Sequence, residues 1–136
     1  MANRFGAPKL LAFLICDATF RDPTTKKLTL LGLFNQINAT TFPCKHAKLN
    51  VFLSLTDGRG TAKGCLKLVH KASEKVVLEL SGKVEFKDPL GTTELDFELR
   101  NIPFPEAGAY SFDFYCDEEL IAQRPFHVIE VSGEKK

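Results

Sequence analysis

Histidine and cysteine are the residues of this 136-residue chain best suited to bind a metal ion. Cys44 and His46 lie two residues apart, whereas His70 and His127 are isolated in the sequence. A structural zinc site needs about four ligands in a tetrahedral arrangement, and the sequence contains no second close pair. We therefore interpret Cys44 as a loop cysteine beside an exposed histidine, and we predict that the protein binds no metal and no other cofactor.

The cysteines could also serve as nucleophiles, because a thiolate beside a general base can attack an electrophilic carbon. Cys16 and Cys116 each precede an aspartate, Asp17 and Asp117, and a neighbouring carboxylate disfavours the thiolate. No flanking signature supports a cysteine–histidine pair. We therefore predict no catalytic residue. The four cysteines are expected to be reduced and mostly buried thiols, namely Cys16, Cys44, Cys65 and Cys116.

Acidic residues at predicted turns suggest calcium as a third kind of chemistry. Asp17, Asp22 and the turn Asp117–Glu119 could meet at one end of a β-sandwich. Calcium takes about six to eight oxygen ligands, usually from closely spaced carboxylates. Turns and strand ends commonly carry acids of this kind, so we assign these residues to turns rather than to a metal site.

The composition limits the classes of function. Hydrophobic residues make up 44% of the chain and charged residues 26%, which is typical of a globular domain and not of a disordered chain. The 18 basic and 17 acidic residues give a net charge of +1, whereas nucleic-acid binders usually carry a basic excess. We therefore expect neither nucleic acid nor a membrane as a partner. Residues 1–131 are predicted to form one domain, followed by a disordered polar tail at 132–136.

An apolar run near the start of the chain, Leu10–Cys16, has to be distinguished from a signal peptide. Its seven residues lie at the short end of the range for the apolar part of such a peptide, and no small-residue cleavage site follows. The run is therefore predicted to be the first strand. We expect a cytoplasmic location on this basis.

Short segments of alternating apolar residues, separated by turns rich in Gly, Pro and Asp, run along the whole chain. No segment has a convincing helical pattern. Strands at this spacing are typical of an all-β sandwich or barrel. The eight predicted strands are Leu10–Thr19, Lys27–Thr41 with a break, Lys48–Leu55, Thr61–His70, Lys75–Phe86, Thr92–Asn101, Ala109–Cys116 and Leu120–Val131.

The segment Phe104–Val131 defines the architecture most clearly. Gly108 and Tyr110 open a strand with large apolar residues at alternate positions, and an acidic turn then leads into the last strand. This pattern is typical of the closing hairpin of an immunoglobulin-like sandwich, in which Tyr110 takes the place of a tyrosine corner. Phe112 stands where antibody-type domains carry a disulfide cysteine. The predicted fold class is an all-β, immunoglobulin-like antiparallel β-sandwich of about seven to eight strands.

Two strands with clear alternation, Lys75–Phe86 and Thr92–Asn101, are predicted to pair with each other. Opposite charges facing each other across two strands stabilise a pair by roughly 0.2–1 kcal/mol. The charged face of this pair is interpreted as solvated. The favoured register places Lys83 opposite Asp96 and Glu79 opposite Arg100.

The first two predicted strands are apolar on both faces, so their second face must be covered. The cover is either this chain, through Asn35–Pro43 or the arm Met1–Pro8, or a partner, most simply a second copy related by a two-fold axis. Gly32 is predicted to mark a bulge. The proposed interface residues are Leu11, Phe13, Ile15, Leu31 and Leu33, and the alternative set on the opposite face is Leu10, Ala12, Leu14, Leu28 and Leu30.

Three segments of the chain combine turn motifs, a Phe-Pro step and the closing hairpin. They are Leu14–Asp17 followed by Lys27–Phe34, then Phe42–Leu49, and finally Gly108–Phe112 continuing through Glu119–Val128. Together these segments resemble a family of small bacterial immunoglobulin-like β-sandwich proteins of unknown function. The resemblance spans roughly Lys9–Val131. It implies the fold and carries no activity or site.

The sequence therefore predicts a fold more readily than a function. We expect a non-catalytic domain that binds a protein partner or associates with itself, with Tyr110 and Gly108 in structural roles. The alternative is an enzyme, a hydrolase or a transferase, with a site built from loops at one end of the sandwich. A concave pocket with converging titratable groups would favour the enzyme, whereas an apolar patch over the first two strands would favour binding.

Overall fold

The computed structural model describes residues 7–132, and within this range the chain forms strands and turns without a helix. No helix that could span a membrane is therefore found in the described part of the chain. Most of the predicted arm Met1–Pro8 and of the predicted tail at 132–136 lies outside this range. The strands are β1 (Lys9–Arg21), β2 (Leu28–Leu33), β3 (Gln36–Ala39), β4 (Cys44–Thr56), β5 (Gly60–His70), β6 (Lys75–Phe86), β7 (Thr92–Phe104), β8 (Gly108–Cys116) and β9 (Glu119–Glu130).

The strands form two sheets. The order in sheet A is β2-β1-β4-β7, and the order in sheet B is β3-β9-β8-β5-β6. The paired strands of both sheets run antiparallel, except that β3 runs parallel to β9. The chain changes sheet on either side of β3, between β4 and β5, and on either side of β7. This arrangement confirms the predicted immunoglobulin-like sandwich.

Residues 7–132 form nine strands rather than the predicted seven to eight, because one predicted strand is divided. The segment predicted as Lys27–Thr41 with a break forms β2 and β3. β2 pairs with β1 in sheet A, and β3 pairs with β9 in sheet B. The predicted break, at Phe34 and Asn35, is therefore a change of sheet. The bulge predicted at Gly32 is not present, because the pairing register of β1 with β2 continues unshifted across this residue. Gly32 nevertheless has a positive φ of 71°.

The core lies between the sheets and is formed by alternate residues of the central strands. Full burial of such a side chain stabilises the fold by roughly 1.5–3 kcal/mol. Leu49, Val51, Leu53 and Leu55 of β4, and Tyr110, Phe112 and Phe114 of β8, are all 0% exposed. On the other face of β8, Ser111 and Asp113 are buried as well, and the Ser111 hydroxyl donates to Asp113 Oδ1 at 2.6 Å.

Tyr110 lies near the start of β8, where the chain passes from β7 of sheet A to sheet B. Its side chain is fully buried, and its hydroxyl donates to the backbone carbonyl of Glu106 at 2.6 Å. This bond to the backbone a few residues upstream is the mark of a tyrosine corner. The ring contacts Phe104 edge-on at 5.1 Å between centroids, stacks on Phe126 at 5.9 Å, and lies 4.9 Å from the ring of His70.

The predicted pairing of β6 with β7 is wrong, because β6 pairs with β5 in sheet B and β7 pairs with β4 in sheet A. Both strands lie at the edge of a sheet and keep one face in solvent, so both show the same alternation. Charge pairs across two strands stabilise the fold by roughly a few tenths of a kcal/mol each. Burial of the apolar inner faces of β6 and β7 contributes more, so it decides which strands they pair with. In the structure Lys83 faces Lys63, Glu79 faces Lys67, Asp96 faces Phe52 and Arg100 faces Lys48.

Replacing Tyr110 by phenylalanine should remove the corner hydrogen bond and leave the Glu106 carbonyl with a poorer partner. We expect the free energy of unfolding of Tyr110→Phe to fall by about 1 kcal/mol. The measurement is urea denaturation followed by circular dichroism. The other tyrosine of the chain, Tyr115, lies half-buried on the outer face of β8 and gives the matched control. Equal unfolding midpoints for Tyr110→Phe and Tyr115→Phe would contradict a structural role for the corner.

Candidate functional site

The first candidate site is the β1–β2 hairpin. β1 pairs with β4 only as far as Cys16, and beyond that residue it pairs with β2 alone. The hydroxyl of Thr19 then donates to Asp96 Oδ2 at 2.6 Å, and the Arg21 guanidinium lies 3.6 Å from the Glu94 carboxylate. Both acids belong to β7, and β4 lies between β1 and β7 in sheet A. The hairpin therefore crosses the outer face of β4.

Asn50 of β4 is hydrogen-bonded to the hairpin. It lies on the outer face of β4, yet it is only 3% exposed. Its amide nitrogen donates to Asp96 Oδ1 at 2.8 Å and to the Thr19 hydroxyl at 3.3 Å, and its amide oxygen accepts from Lys48 Nζ at 2.9 Å. Buried polar groups are costly unless they are hydrogen-bonded. The hairpin therefore completes a polar network on sheet A.

The two faces of the hairpin differ in exposure. Leu28 and Leu30 lie opposite Arg21 and Thr19, on the side that turns towards sheet A, and both are partly buried. Phe20 and Leu31 lie on the opposite side of the ribbon and are 53% and 50% exposed. Leu33, at the end of β2, is 60% exposed. We call the exposed residues Phe20, Leu31 and Leu33 the hairpin surface.

The five predicted interface residues do not form one face. Phe13 and Ile15 lie in the core between the sheets, with 7% and 1% exposure, and they are not available to a partner. Leu11 is 57% exposed near the start of β1, away from the hairpin. The reason is the register, which places Leu31 opposite Ala18 and Leu33 opposite Cys16. Odd-numbered residues of β2 therefore share a face with even-numbered residues of β1.

The alternative set is divided in the same way. Leu10 is 40% exposed, whereas Ala12 and Leu14 are partly buried on the outer face of β1. Leu28 and Leu30 face sheet A under the hairpin. Within residues 7–132, the hairpin itself therefore covers part of the outer face of sheet A, a cover that the predictions from the sequence did not include.

The edge strands of the two sheets differ in how they are protected from pairing with another chain. An exposed apolar edge is a template for such pairing, and charges or a short length suppress it. β3 has four residues, whereas β6 and β7 carry charged outer faces. β2 has the sequence Leu-Thr-Leu-Leu-Gly-Leu, without any charge. Among the four edges of the described sheets, β2 and β3 lack charged residues, and β2 is the longer of these two.

The second candidate site is a cavity of about 340 Å³ at one end of the sandwich, which we call the His70 cavity. The turn between β5 and β6, the segment between β7 and β8, and the residue before β4 meet there. Its walls are mainly apolar, and a few polar groups enter it. The lining residues are Pro43, His70, Ser73, Lys75, Val76, Val77, Pro103, Pro105 and Glu106.

The polar groups of this cavity converge on His70, which is 5% exposed. Its Nδ1 atom lies 2.7 Å from the Ser73 hydroxyl oxygen, and its Nε2 atom lies 3.8 Å from Glu106 Oε1. The ring packs on Tyr110. Gly108 has a φ of 137°, which favours glycine, and a Cβ atom there would lie 3.7 Å from His70 Nε2. The tyrosine-corner loop therefore forms one side of the histidine environment.

This cluster has only a weak signal in the sequence. His70 and Ser73 are three residues apart in a hairpin turn, which is a common spacing with no chemical signature of its own. Glu106 follows more than thirty residues later and comes close only because β5 pairs with β8, with His70 opposite Tyr110. A search for serine beside histidine at the ends of predicted strands would have found the first two residues, but not the third.

The four cysteines are free thiols. Burial raises the pKa of the Cys16, Cys44 and Cys65 thiols, and Asp96 and Glu79 act in the same direction on Cys16 and Cys65 respectively. For Cys116, burial and then the charges of Asp117 and Glu119 raise the thiol pKa to about 11. All four are therefore weak nucleophiles at neutral pH.

The metal-binding combinations considered in the sequence do not assemble in the described range. Among residues 7–132, no group of three or more His, Cys, Asp and Glu side chains is placed to hold a metal ion. His46 lies instead beside the ring of Phe34, with centroids 6.1 Å apart. Asp22 Oδ1 accepts a hydrogen bond from the backbone nitrogen of Thr24 within its own turn, and Asp117 Oδ1 accepts one from the backbone nitrogen of Lys63 in β5.

The sheet order, the parallel β3–β9 pair and the tyrosine corner define an immunoglobulin-like β-sandwich protein. Residues 11–129 match the family DUF6941, which is described as a family of unknown function. The chain belongs to that family, and the predicted resemblance to a family without an assigned activity is confirmed.

Two solved structures of Pseudomonas proteins are similar to the chain. An immunoglobulin-like protein from Pseudomonas aeruginosa has 11% identity and a TM-score of 0.46, and the match covers 93% of this chain and 100% of that one. The alkylpurine DNA glycosylase AlkC from Pseudomonas fluorescens, in complex with DNA containing an abasic site analog, has 9% identity and a TM-score of 0.47. That match covers 90% of this chain and 30% of the glycosylase. No curated protein matches the chain. At these identities and scores, the likeness carries no functional argument.

The raised pKa of Cys116 predicts a loss of stability in alkaline solution. Above pH 9 the thiol ionises in the unfolded chain, whereas in the folded chain it stays protonated up to about pH 11. Stability should therefore fall as pH rises through this window, by on the order of 1 kcal/mol between pH 8 and pH 10. Urea denaturation at several pH values measures the slope.

In Cys116→Ala the thiol's contribution to the fall of stability with rising pH should disappear, although the lost packing lowers stability at every pH. Cys44→Ala is the control, because Cys44 is only partly buried and should change the slope less. A Cys116→Ala variant with the same pH slope as the unmodified protein would show that the thiol is not the titrating group.

Proposed function

We propose that this domain acts by binding a protein through the hairpin surface, and that the simplest partner is a second copy of the chain. The observation that carries this proposal is the exposure of Phe20, Leu31 and Leu33, each at least half exposed, beside an edge strand without charges. Contiguous apolar surface of this kind is typical of interaction sites. The partner would cover the side chains, the edge of β2, or both.

Several features favour a second copy. The hairpin surface is apolar, so two copies can face each other without opposing charges, and a two-fold axis gives both copies the same contact. The net charge of +1 creates little repulsion between two chains. The short strand and the small number of apolar side chains suggest a modest interface, so we propose a reversible dimer rather than an obligate one.

The hairpin is also held firmly enough to present this surface. Thr19, Arg21 and Asn50 fix its inner side to sheet A, so a partner meets an ordered ribbon and little ordering entropy is lost on binding. We place this function in the cytoplasm, as the sequence predicts. The four free thiols support that location.

The test is sedimentation velocity over a wide range of protein concentration. The unmodified protein should shift reversibly from monomer to dimer as the concentration rises. Replacing Phe20 and Leu31 by aspartate should weaken the dimer by at least about tenfold, because two buried charges would face each other across the axis. The thermal midpoint should stay nearly unchanged, since both side chains point into solvent.

Leu90→Asp is the matched control, because Leu90 is 92% exposed in the turn between β6 and β7, away from the hairpin. This variant should sediment like the unmodified protein. A single monomeric species at every concentration would exclude self-association. Cross-linking from Thr29→Cys in the native host would then decide whether another protein occupies the surface, and a lack of any adduct would overturn the proposal.

A further inference from the structure

We infer that the His70 cavity is a site of ester hydrolysis, with Ser73 as the nucleophile, His70 as the general base and Glu106 as the group that orients the imidazole. This activity goes beyond the proposed binding function and does not depend on the hairpin surface. It also gives a location to the enzyme alternative, because the cavity is built from loops at one end of the sandwich.

The first support is the contact between nucleophile and base. An activated serine needs its hydroxyl within hydrogen-bond reach of a base, at about 2.6–3.2 Å. The Ser73 oxygen lies 2.7 Å from His70 Nδ1. The same oxygen accepts a hydrogen bond from the backbone nitrogen of Lys75 at 3.3 Å, which fixes its orientation. Ser73 is exposed at the mouth of the cavity, so a substrate can reach it.

The second support is the position of Glu106 on the other ring nitrogen. Its carboxylate lies 3.8 Å from His70 Nε2, which is ion-pair distance and longer than a hydrogen bond. A carboxylate on this side of the ring favours hydrogen on Nε2 by electrostatic attraction. Nδ1 is then free to accept the proton of Ser73. The same carboxylate stabilises the imidazolium that this transfer produces. Tyr110 is a positioning residue, because its hydroxyl holds the backbone of Glu106.

A purely structural role for His70 accounts for part of this geometry. A buried histidine needs a hydrogen-bond partner, and Ser73 supplies one. That role explains neither the open apolar cavity beside the pair nor the glutamate placed on the second nitrogen. Nucleophile, base and orienting acid around a cavity form the constellation expected of acyl transfer.

The cavity also indicates the class of substrate. Its walls are formed by Pro43, Val76, Val77, Pro103 and Pro105, which suit a short apolar acyl group. A volume of about 340 Å³ is at the small end of the range for ligand sites. Lys75 lines the same cavity and supplies a positive charge for the oxyanion of the transition state. Small esters with apolar acyl chains are therefore the expected substrates.

The reaction would take place in two steps. Ser73 Oγ attacks the ester carbonyl carbon while its proton moves to His70 Nδ1, and the ester C–O bond breaks as the leaving alkoxide takes that proton. Water then attacks the acyl-serine and gives its proton to His70, and the acyl–oxygen bond breaks as Ser73 regains the proton. The products are one alcohol and one carboxylic acid for each ester and water consumed.

The test uses 4-nitrophenyl butyrate as substrate for the full chain. Ser73→Ala should lower kcat/KM by at least on the order of 100-fold. Glu106→Gln should lower kcat more than it changes KM, because the imidazolium formed during the reaction loses its carboxylate. A fluorophosphonate probe should label the peptide that contains Ser73.

Both substituted residues are exposed, so their variants should fold, and circular dichroism checks this. Ser81→Ala is the matched control, since Ser81 is an exposed serine on the neighbouring strand β6. Its activity and labelling should equal those of the unmodified protein. Equal hydrolysis by the unmodified protein and Ser73→Ala, or a probe adduct that spares Ser73, would overturn the inference. In either case dimerisation through the hairpin surface is measured separately, so the two proposals fail independently.

Discussion

The hydrogen bond from Tyr110 to the Glu106 carbonyl is the constraint on which much of this structure depends. It ties the loop after β7 to the start of strand β8, at the point where the chain passes from sheet A to sheet B. The buried ring then fills the space between Phe104 and Phe126. Since the same loop carries Glu106, the corner that closes the sandwich also sets the surroundings of His70.

The β1–β2 hairpin depends on a different kind of interaction. Its inner side is held by the network of Asn50, Thr19 and Asp96, which is polar and lies on the outer face of a sheet. Breaking the network would leave a nearly buried amide without partners, at a cost of about 1–3 kcal/mol. The hairpin is therefore expected to stay against the outer face of β4. Its exposed apolar residues then face solvent, because its other face contacts β4 and β7.

The closing hairpin could be predicted from the sequence because its signals are local. Tyr110, Phe112 and Phe114 alternate, and an acidic turn follows, so pattern and structure agree. The pairing of β6 with β7 could not be predicted, because edge strands of different sheets share the same alternation. The split of β2 from β3 and the crossing of the hairpin depend on contacts between residues far apart in sequence, such as Arg21 with Glu94. The approach of Glu106 to His70 and Ser73 could not be predicted for the same reason, because it depends on the pairing of β5 with β8.

An immunoglobulin-like sandwich buries the inner faces of both sheets, so function falls to the edges and to the ends. In this chain the edge with large exposed apolar side chains is β2, and the end with converging polar groups is the one beside the tyrosine corner. Different interactions hold these two places, one through Asn50 and the other through Tyr110. Substitutions at distant sites without shared partners usually act additively. Damage to the corner should therefore disturb the His70 cavity and leave the hairpin surface intact, and loss of the Asn50 network should do the reverse.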